Sequence, residues 1–204
     1  MSSQELEDLR NYYEKKIMKY DEKYTCIKNS LGEEKVTTIG IRETAINKES
    51  MNLARTVINE HHQLKGGFLR DNSLIRDYAE HLIFAYVNGE FAGFCSLDSG
   101  QHVRKNEEGS DLHILQIGVK KSMQGMGVAS SLLKYIEEHS LGHSCVSAEV
   151  HKKNYRSERF FRQNGYKVIE SKVNPDQLIA LKDMRHTERK DFKYAKRNPF
   201  RNKI

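Results

Sequence analysis

The alternation of apolar and polar residues along the chain predicts a sheet with helices packed on it. Runs with a period of two residues predict strands, and apolar residues spaced by three or four predict helices. Asn88-Gly89 separates two apolar runs and has the sequence of a tight hairpin turn. The predicted strands are Val36–Ile46, His81–Val87, Glu90–Leu97, Leu112–Val119, Ser144–Val150, Tyr166–Ser171 and Leu178–Leu181. The predicted helices are Glu49–Leu64, Ser73–Glu80, Gly127–His139 and Tyr155–Asn164.

A further helix is predicted at the N-terminus. Within residues 4–28, apolar side chains recur every three or four positions, as on one face of an amphipathic helix: Leu6, Leu9, Tyr13, Ile17 and Tyr20. This helix has three open roles, which are packing on the core, pairing with a second subunit in a homodimer, and binding a partner. We therefore predict a helical extension over 1–35, a catalytic or binding domain over 36–185, and a tail over 186–204.

Composition narrows the class of protein. The 204 residues, of which 37% are hydrophobic, suffice for one α/β domain with a packed core. No apolar run has the length of a membrane span, and the N-terminus is acidic and polar, so we expect a cytoplasmic protein. The cysteines, Cys26, Cys95 and Cys145, are far apart in the sequence and predict neither a metal site nor a disulfide framework.

The segment between the strand ending at Val119 and the following helix has the composition of a phosphate-binding loop. It contains Gln124, Gly125 and Gly127, and glycines at a helix start let backbone N–H groups approach a phosphate closely. Val128 follows the last glycine where a nucleoside-triphosphate loop would have Lys. The pattern therefore favours a pyrophosphate ligand that is not a nucleoside triphosphate.

Two motifs together resemble the GNAT superfamily of N-acetyltransferases. The string Gln124–Ala129 is similar to the family's Gln/Arg-x-x-Gly-x-Gly/Ala signature, and Asn154–Tyr166 is similar to its next motif, an Asn that opens a helix ending in an aromatic pair and Gly-aromatic. The resemblance implies an α/β fold with a mixed, mostly antiparallel central sheet, flanking helices and a splay between the family's fourth and fifth strands. Those strands correspond here to Leu112–Val119 and Ser144–Val150.

The resemblance also implies a donor and its binding residues. Acetyl-CoA would be the acyl donor, without a metal, and its pantetheine arm would lie in the splay against the main chain of Ile117 and Val119. The other coenzyme residues implied are Gln124, Gly125, Met126, Gly127, Val128, Ala129, Asn154 and Phe161. Basic residues near the expected phosphate end are candidates for the 3′-phosphate: Lys120, Lys121, Lys152, Lys153 and Arg156.

Acetyl transfer to an amine needs a base and, for the departing thiolate, an acid. His113 is the candidate base, because it lies on the strand entering the site and imidazole titrates near neutral pH. Strand alternation places it on one face with Leu115, Ile117 and Val119 unless a bulge shifts the register. Phe161 stands where the family commonly has a tyrosine acid, so Tyr155 or Tyr166 is the candidate substitute, or the thiolate leaves unassisted. The lesser candidates for the base are Asp111 and Glu149.

The acceptor is not specified by these motifs. In the family it would enter over residues 61–74 and 171–178. Residues 185–204 carry eight Lys and Arg against two acidic residues, a net +6 equal to the formal charge of the whole chain. This tail favours a polyanionic or acidic partner, such as RNA or aminoacyl-tRNA, although it has a purely structural explanation as well. The alternative to an enzyme is a coenzyme-binding regulatory or interaction module, which Phe161 favours.

Overall fold

The computed structural model describes residues 21–28, 34–62, 72–100 and 110–185, with side chains described within 38–61, 72–100 and 110–185. The strands are β1 (Asp21–Lys28), β2 (Glu34–Thr44), β3 (His81–Val87), β4 (Glu90–Gly100), β5 (Ser110–Val119), β6 (His143–His151), β7 (Lys167–Glu170) and β8 (Gln177–Asp183). The helices are α1 (Lys48–His62), α2 (Ser73–Tyr78), α3 (Val128–Glu138) and α4 (Tyr155–Gln163), with a 3₁₀ turn at Lys121–Met123. No helix among the described residues is long and apolar enough to cross a membrane.

The eight strands of the described residues form one sheet in the order β1-β2-β3-β4-β5-β6-β8-β7. Neighbouring strands are antiparallel except for β5 and β6, which are parallel. The parallel pairing runs from Ser110 and His143 to Ile114 and Ala148, beyond which the two strands have no paired residues. The sheet therefore opens into a fork between the second half of β5 and the end of β6, and the predicted α/β fold with splayed strands is confirmed.

The N-terminal helix prediction is wrong over its last eight residues. Residues 21–28 form β1, which pairs with β2 from Asp21 and Ile41 to Lys28 and Glu34. The segment Tyr24-Thr25-Cys26-Ile27 is rich in residues that favour strands, and the neighbouring β2 offers its edge for pairing, so a long-range ladder outweighs the helical spacing upstream. Residues 4–20 of the predicted helix lie outside the described residues.

The predicted hairpin turn at Asn88-Gly89 is confirmed between β3 and β4. Asn88 has φ of 50° and Gly89 has φ of 85°, the left-handed pair that a type I′ turn requires. The Asn88 side chain also accepts a hydrogen bond from the Thr38 N–H at 3.1 Å, which ties the turn to β2.

The sheet separates two hydrophobic clusters. On one face, α1 and α2 pack over Leu82, Phe84 and Phe94. On the other, α3 and α4 pack over Ile83, Leu97 and the residues of β5 and β6 that point the same way. The fork thus has a helix pair on each side, and α1 ends and α3 begins near the same end of β5.

A β-bulge in β5 reverses which residues face which helices. The pairing with β4 shifts at Ser96/Leu97, so that Leu115 is an extra residue in β5. Before it, Leu112 and Ile114 pack in the α3–α4 cluster, and the intervening His113 faces α1 and α2. Beyond it, Ile117 and Val119 pack in the α3–α4 cluster. The bulge that the sequence analysis allowed for is present, and it places His113 and Leu115 on the α1–α2 face and Ile117 and Val119 on the other.

Candidate active site

The main chain at the end of β5 offers hydrogen-bonding groups to the fork. The Lys120 N–H donates to the Ala92 carbonyl at 2.8 Å, which fixes the residues of β5 that bond to β4. In an antiparallel ladder alternate residues bond to the same neighbour, so Gly118 also bonds toward β4. Ile117 and Val119 consequently present their N–H and C=O groups to the opposite side, where β6 has separated. This arrangement suits an extended ligand lying in the fork like a strand.

The loop after β5 is shaped by two glycines in the left-handed region. Gly125 has φ of 82° and Gly127 has φ of 78°, and a Cβ placed on either would meet no atom within 4 Å. The glycines therefore serve a backbone conformation beside open space. The first bond of α3 runs from the Ser131 N–H to the Gly127 carbonyl at 2.9 Å, so the amides of Val128 and Ala129 have no partner within the helix. Such a helix start attracts a phosphate.

Gln124 connects the glycine loop to the end of β5 and to the start of α4. Its side-chain amide donates to the Val119 carbonyl at 3.3 Å, and its oxygen accepts from the Arg156 guanidinium at 2.8 Å. Asn154 caps α4 by accepting from the Ser157 N–H at 3.2 Å. The structure thus brings Arg156, at the start of α4, against the glycine loop. Met126 packs partly against the α3–α4 cluster.

The end of α1 contacts the same loop through two residues that the sequence did not single out as site residues. The His61 ring nitrogen Nε2 lies 3.1 Å from the Val119 carbonyl oxygen, and the Glu60 carboxylate accepts from the Lys121 N–H at 2.8 Å. His61 lies at the start of the acceptor segment predicted from the sequence, residues 61–74. Its partner lies 58 positions away in the chain, so only the fold reveals the contact.

His113 lies in the paired part of β5 and β6, before the two strands separate into the fork. It is 7% exposed, and its Nδ1 is 2.9 Å from the Ser147 hydroxyl of β6. Among the lesser candidates for the base, Asp111 is fully buried and accepts a hydrogen bond from the Cys145 thiol at 2.8 Å, a structural role. Glu149 is exposed on β6 just beyond the last rung of the parallel pairing.

The three aromatic candidates occupy different environments. Phe161 is 2% exposed and packs edge-to-face on Phe160 and Tyr166, with ring centroids 5.3 Å and 5.2 Å away. Burial raises the pKa of Tyr166 well above its ordinary value of 10.0, and the Glu137 carboxylate raises it further. Tyr155 is 73% exposed and lines a depression of about 420 Å³ on the outer face of α4. The structure therefore separates Tyr155 from the aromatic cluster of Phe161 and Tyr166.

The basic residues that are candidates for binding the 3′-phosphate differ in the side chains that they contact. Lys120 is paired with Glu90 at 3.3 Å, and Lys152 with Glu170 at 3.0 Å. Arg156 contacts the loop itself through Gln124. Lys121 and Lys153 are exposed. Of the five side chains, that of Arg156 is hydrogen-bonded to the loop among the described residues.

Of the two segments predicted to border the acceptor site, the structure describes residues 171–178 in full and residues 61–74 in part. Residues 63–71 lie outside the described residues, as does the tail after 185. The connection between β7 and β8 is a tight turn in which the Ser171 hydroxyl accepts from the N–H groups of Val173 and Asn174. Val173, at its tip, is exposed.

Comparison with known proteins identifies the family. The sequence profile of the Acetyltransferase (GNAT) family matches residues 47–166, more than half of the chain. The chain belongs to the GNAT family of acetyltransferases. The matched range contains α1, the fork and the glycine loop, and ends at the last residue of the second motif. No curated protein matches the chain.

Solved structures with the same fold agree with this assignment. A GNAT-family acetyltransferase from Desulfovibrio desulfuricans is 18% identical, with 72% of this chain and 99% of that chain covered and a TM-score of 0.54. The ribosomal-protein-S18-alanine N-acetyltransferase from Escherichia coli is 13% identical over 71% and 94%, with a TM-score of 0.52. NAA60 from Arabidopsis thaliana, solved with a bisubstrate analogue, is 13% identical over 72% and 99%, with a TM-score of 0.53. At these identities the likeness is one of fold.

Proposed function

We propose that this GNAT protein transfers the acetyl group of acetyl-CoA to a primary amine by direct attack. The observation that carries the proposal is the continuity between the fork and the loop. Val119 presents its N–H to the fork, and a few residues later the amides at the start of α3 have no partner within the helix, next to the open space at Gly125 and Gly127. A thioester arm in the fork and a pyrophosphate at the helix start are thereby accommodated along one path.

In this proposal the amine nitrogen attacks the thioester carbonyl carbon, and the oxygen of the tetrahedral intermediate is stabilised by the main-chain N–H of Val119, while the main chain of Ile117 contacts the pantetheine arm. Collapse of the intermediate forms the amide and releases coenzyme A. His113 is the base predicted from sequence and Tyr155 the predicted acid. Ser147 would hold the His113 ring in one orientation through the 2.9 Å contact.

Two substitutions of equal size at one position test the phosphate site. Gly127→Asp places a carboxylate where the pyrophosphate is expected, whereas Gly127→Asn places a neutral amide there, and both side chains tolerate the left-handed backbone comparatively well. By calorimetry we expect Asp to weaken acetyl-CoA binding at least about tenfold more than Asn. Equal affinities for the two variants would show that the loop does not hold the pyrophosphate.

The acceptor is then sought by thiol release. Coenzyme A production from acetyl-CoA is followed against small amines, peptides with free N-termini and aminoacyl-tRNA. The peptide arm is motivated by the fold neighbour named as an N-acetyltransferase of a ribosomal protein, and the tRNA arm by the basic tail. The thiol-release assay does not test the predicted cytoplasmic location or the predicted homodimer, which stay predictions.

A coenzyme-binding module is the second candidate function, and Phe161 favours it. The residue is buried in the core and has no proton to donate where the family commonly has a tyrosine. Acetyl-CoA binding without thiol release on every acceptor would support the module, whereas release on one acceptor would exclude it.

A further inference from the structure

We propose that His61, at the end of α1, is a catalytic residue that takes the proton of the acceptor amine and passes it to the sulfur of coenzyme A. The inference rests on the proposed acetyl transfer and adds to it a proton carrier that the sequence did not indicate. It starts from the contact between the His61 ring and the Val119 carbonyl at the fork.

The contact determines which ring nitrogen can act. A carbonyl oxygen can only accept, so Nε2 of His61 carries the hydrogen in the 3.1 Å bond to Val119. In the neutral imidazole the lone pair is then on Nδ1, which makes no hydrogen bond to any residue in the described part of the chain. The residue is half-buried, so part of its surface remains accessible. After Nδ1 takes a proton, the Nε2–H bond to Val119 is unchanged.

The ring lies beside the expected reaction centre. The Val119 N–H and carbonyl point to the same side of β5, into the fork, and the N–H is the group expected to bind the thioester oxygen. A ring held on the carbonyl of that residue is therefore close to the carbon under attack. The predicted acceptor border, residues 61–74, begins at the last two residues of α1. An amine entering past the end of α1 approaches His61.

His113 is placed differently. It is buried below the fork, and its Nδ1 is engaged by Ser147. His61 belongs instead to the helix that leads into the acceptor segment and reaches the fork from the α1 face. The second contact from this helix, between Glu60 and the Lys121 N–H, holds the end of α1 on the loop.

The proton balance of the reaction needs no further donor. The nitrogen lone pair forms the C–N bond, the C–S bond breaks, and its electron pair leaves on sulfur. The amine proton moves to Nδ1 of His61 and from there to the thiolate, which regenerates the neutral imidazole. One imidazole thus supplies the base and the acid, in a chain whose position for the usual tyrosine acid is Phe161.

Two variants distinguish a role of His61 in proton transfer from a purely structural hydrogen bond to Val119. In His61→Gln the side-chain amide nitrogen occupies roughly the place of Nε2 and keeps the bond to Val119, but it cannot take a proton. His61→Ala loses both functions. We expect both variants to lower kcat at least about 100-fold on the acceptor found by thiol release, while their acetyl-CoA affinity stays within about threefold of wild type. Added imidazole should restore part of the rate only in His61→Ala.

Other results would overturn the proposal. Full activity of His61→Gln together with reduced activity of His61→Ala would mean that His61 only holds the Val119 carbonyl through a hydrogen bond. Full activity of both, with activity lost in His113→Gln, would assign the base to His113.

An NMR measurement tests the position of the ring without an acceptor. In ¹⁵N-histidine spectra of the full chain, the His61 signals are assigned by their absence in His61→Gln. Acetyl-CoA and CoA should shift these signals by different amounts, because only the former places an acetyl group at the fork. If both ligands bind by calorimetry and the His61 signals do not move, the ring is not at the reaction centre. Absence of any binding would refute the proposed function itself, and this proposal with it.

Discussion

Gly93 provides a test of how closely β4 and β5 must approach for the fork to form. A Cβ on Gly93 would overlap the Gly118 carbonyl oxygen and would lie 3.0 Å from the Val119 Cα and 3.3 Å from the Val119 Cγ2. Both nearest atoms belong to the main chain, so no side-chain rotation relieves the contact. In Gly93→Ala β5 must retreat by several tenths of an ångström where Val119 faces the fork. Overpacking of this kind costs about 1–3 kcal/mol of stability.

The displaced strand should also bind the coenzyme less well. Loss of one main-chain hydrogen bond is worth about 0.5–1.5 kcal/mol, which corresponds to a Kd raised roughly 2- to 12-fold. The assays are urea unfolding for stability and calorimetry with acetyl-CoA for affinity. Gly142→Ala is the matched control, because Gly142 has φ of 83° with nothing within 4 Å of its Cβ and lies at the opposite end of β6 from the fork. It should lose about 1–2 kcal/mol of stability and keep its affinity. Unaltered stability and affinity in Gly93→Ala would refute the reasoning.

Three further predictions follow from single contacts. Asn154→Ala removes the cap of α4, the 3.2 Å bond from the Ser157 N–H, and should lower stability by about 1 kcal/mol and Tm by about 2–4 °C in a calorimetric scan. Tyr166 has a raised pKa in the folded protein, so its contribution to stability is complete below pH about 10 and is lost as the pH rises further. In denaturant unfolding measured at increasing pH, Tyr166→Phe should lack this alkaline loss of stability. The same loss in the variant and in the wild type would contradict the pKa shift. Arg156→Ala should reduce the preference for CoA over 3′-dephospho-CoA in calorimetry, whereas Lys152→Ala, whose side chain is paired with Glu170, should retain it.

The sequence predicts the elements of the fold because most of them are encoded locally. The Asn88-Gly89 turn, the glycines before α3 and the asparagine before α4 each specify a backbone conformation within a few residues. Their order along the chain then identifies the family. The strand at 21–28 escaped prediction because its formation depends on pairing with β2, and the propensities of its own residues do not decide between helix and strand.

The site was predicted less completely, since its geometry depends on register and on contacts between distant segments. The bulge at Leu115 turns His113 away from the face of Ile117, and a bulge arises from the match between two strands, which periodicity in one strand cannot show. The contacts of Glu60 and His61 join the end of α1 to a loop about sixty residues further along. In the sequence these two residues look like an ordinary polar helix end.

Val119 is the residue on which these separate contributions converge. Its Cα lies against Gly93, its carbonyl accepts from Gln124 of the donor loop and from His61 of α1, and its N–H faces the fork. A carbonyl has two lone pairs, so both donors are accommodated at once. Because the donor loop and the helix leading to the acceptor segment hold the same peptide group, a shift of either one is transmitted to the point where the thioester is expected. We therefore expect a change at either contact to alter the position of the Val119 N–H at the fork.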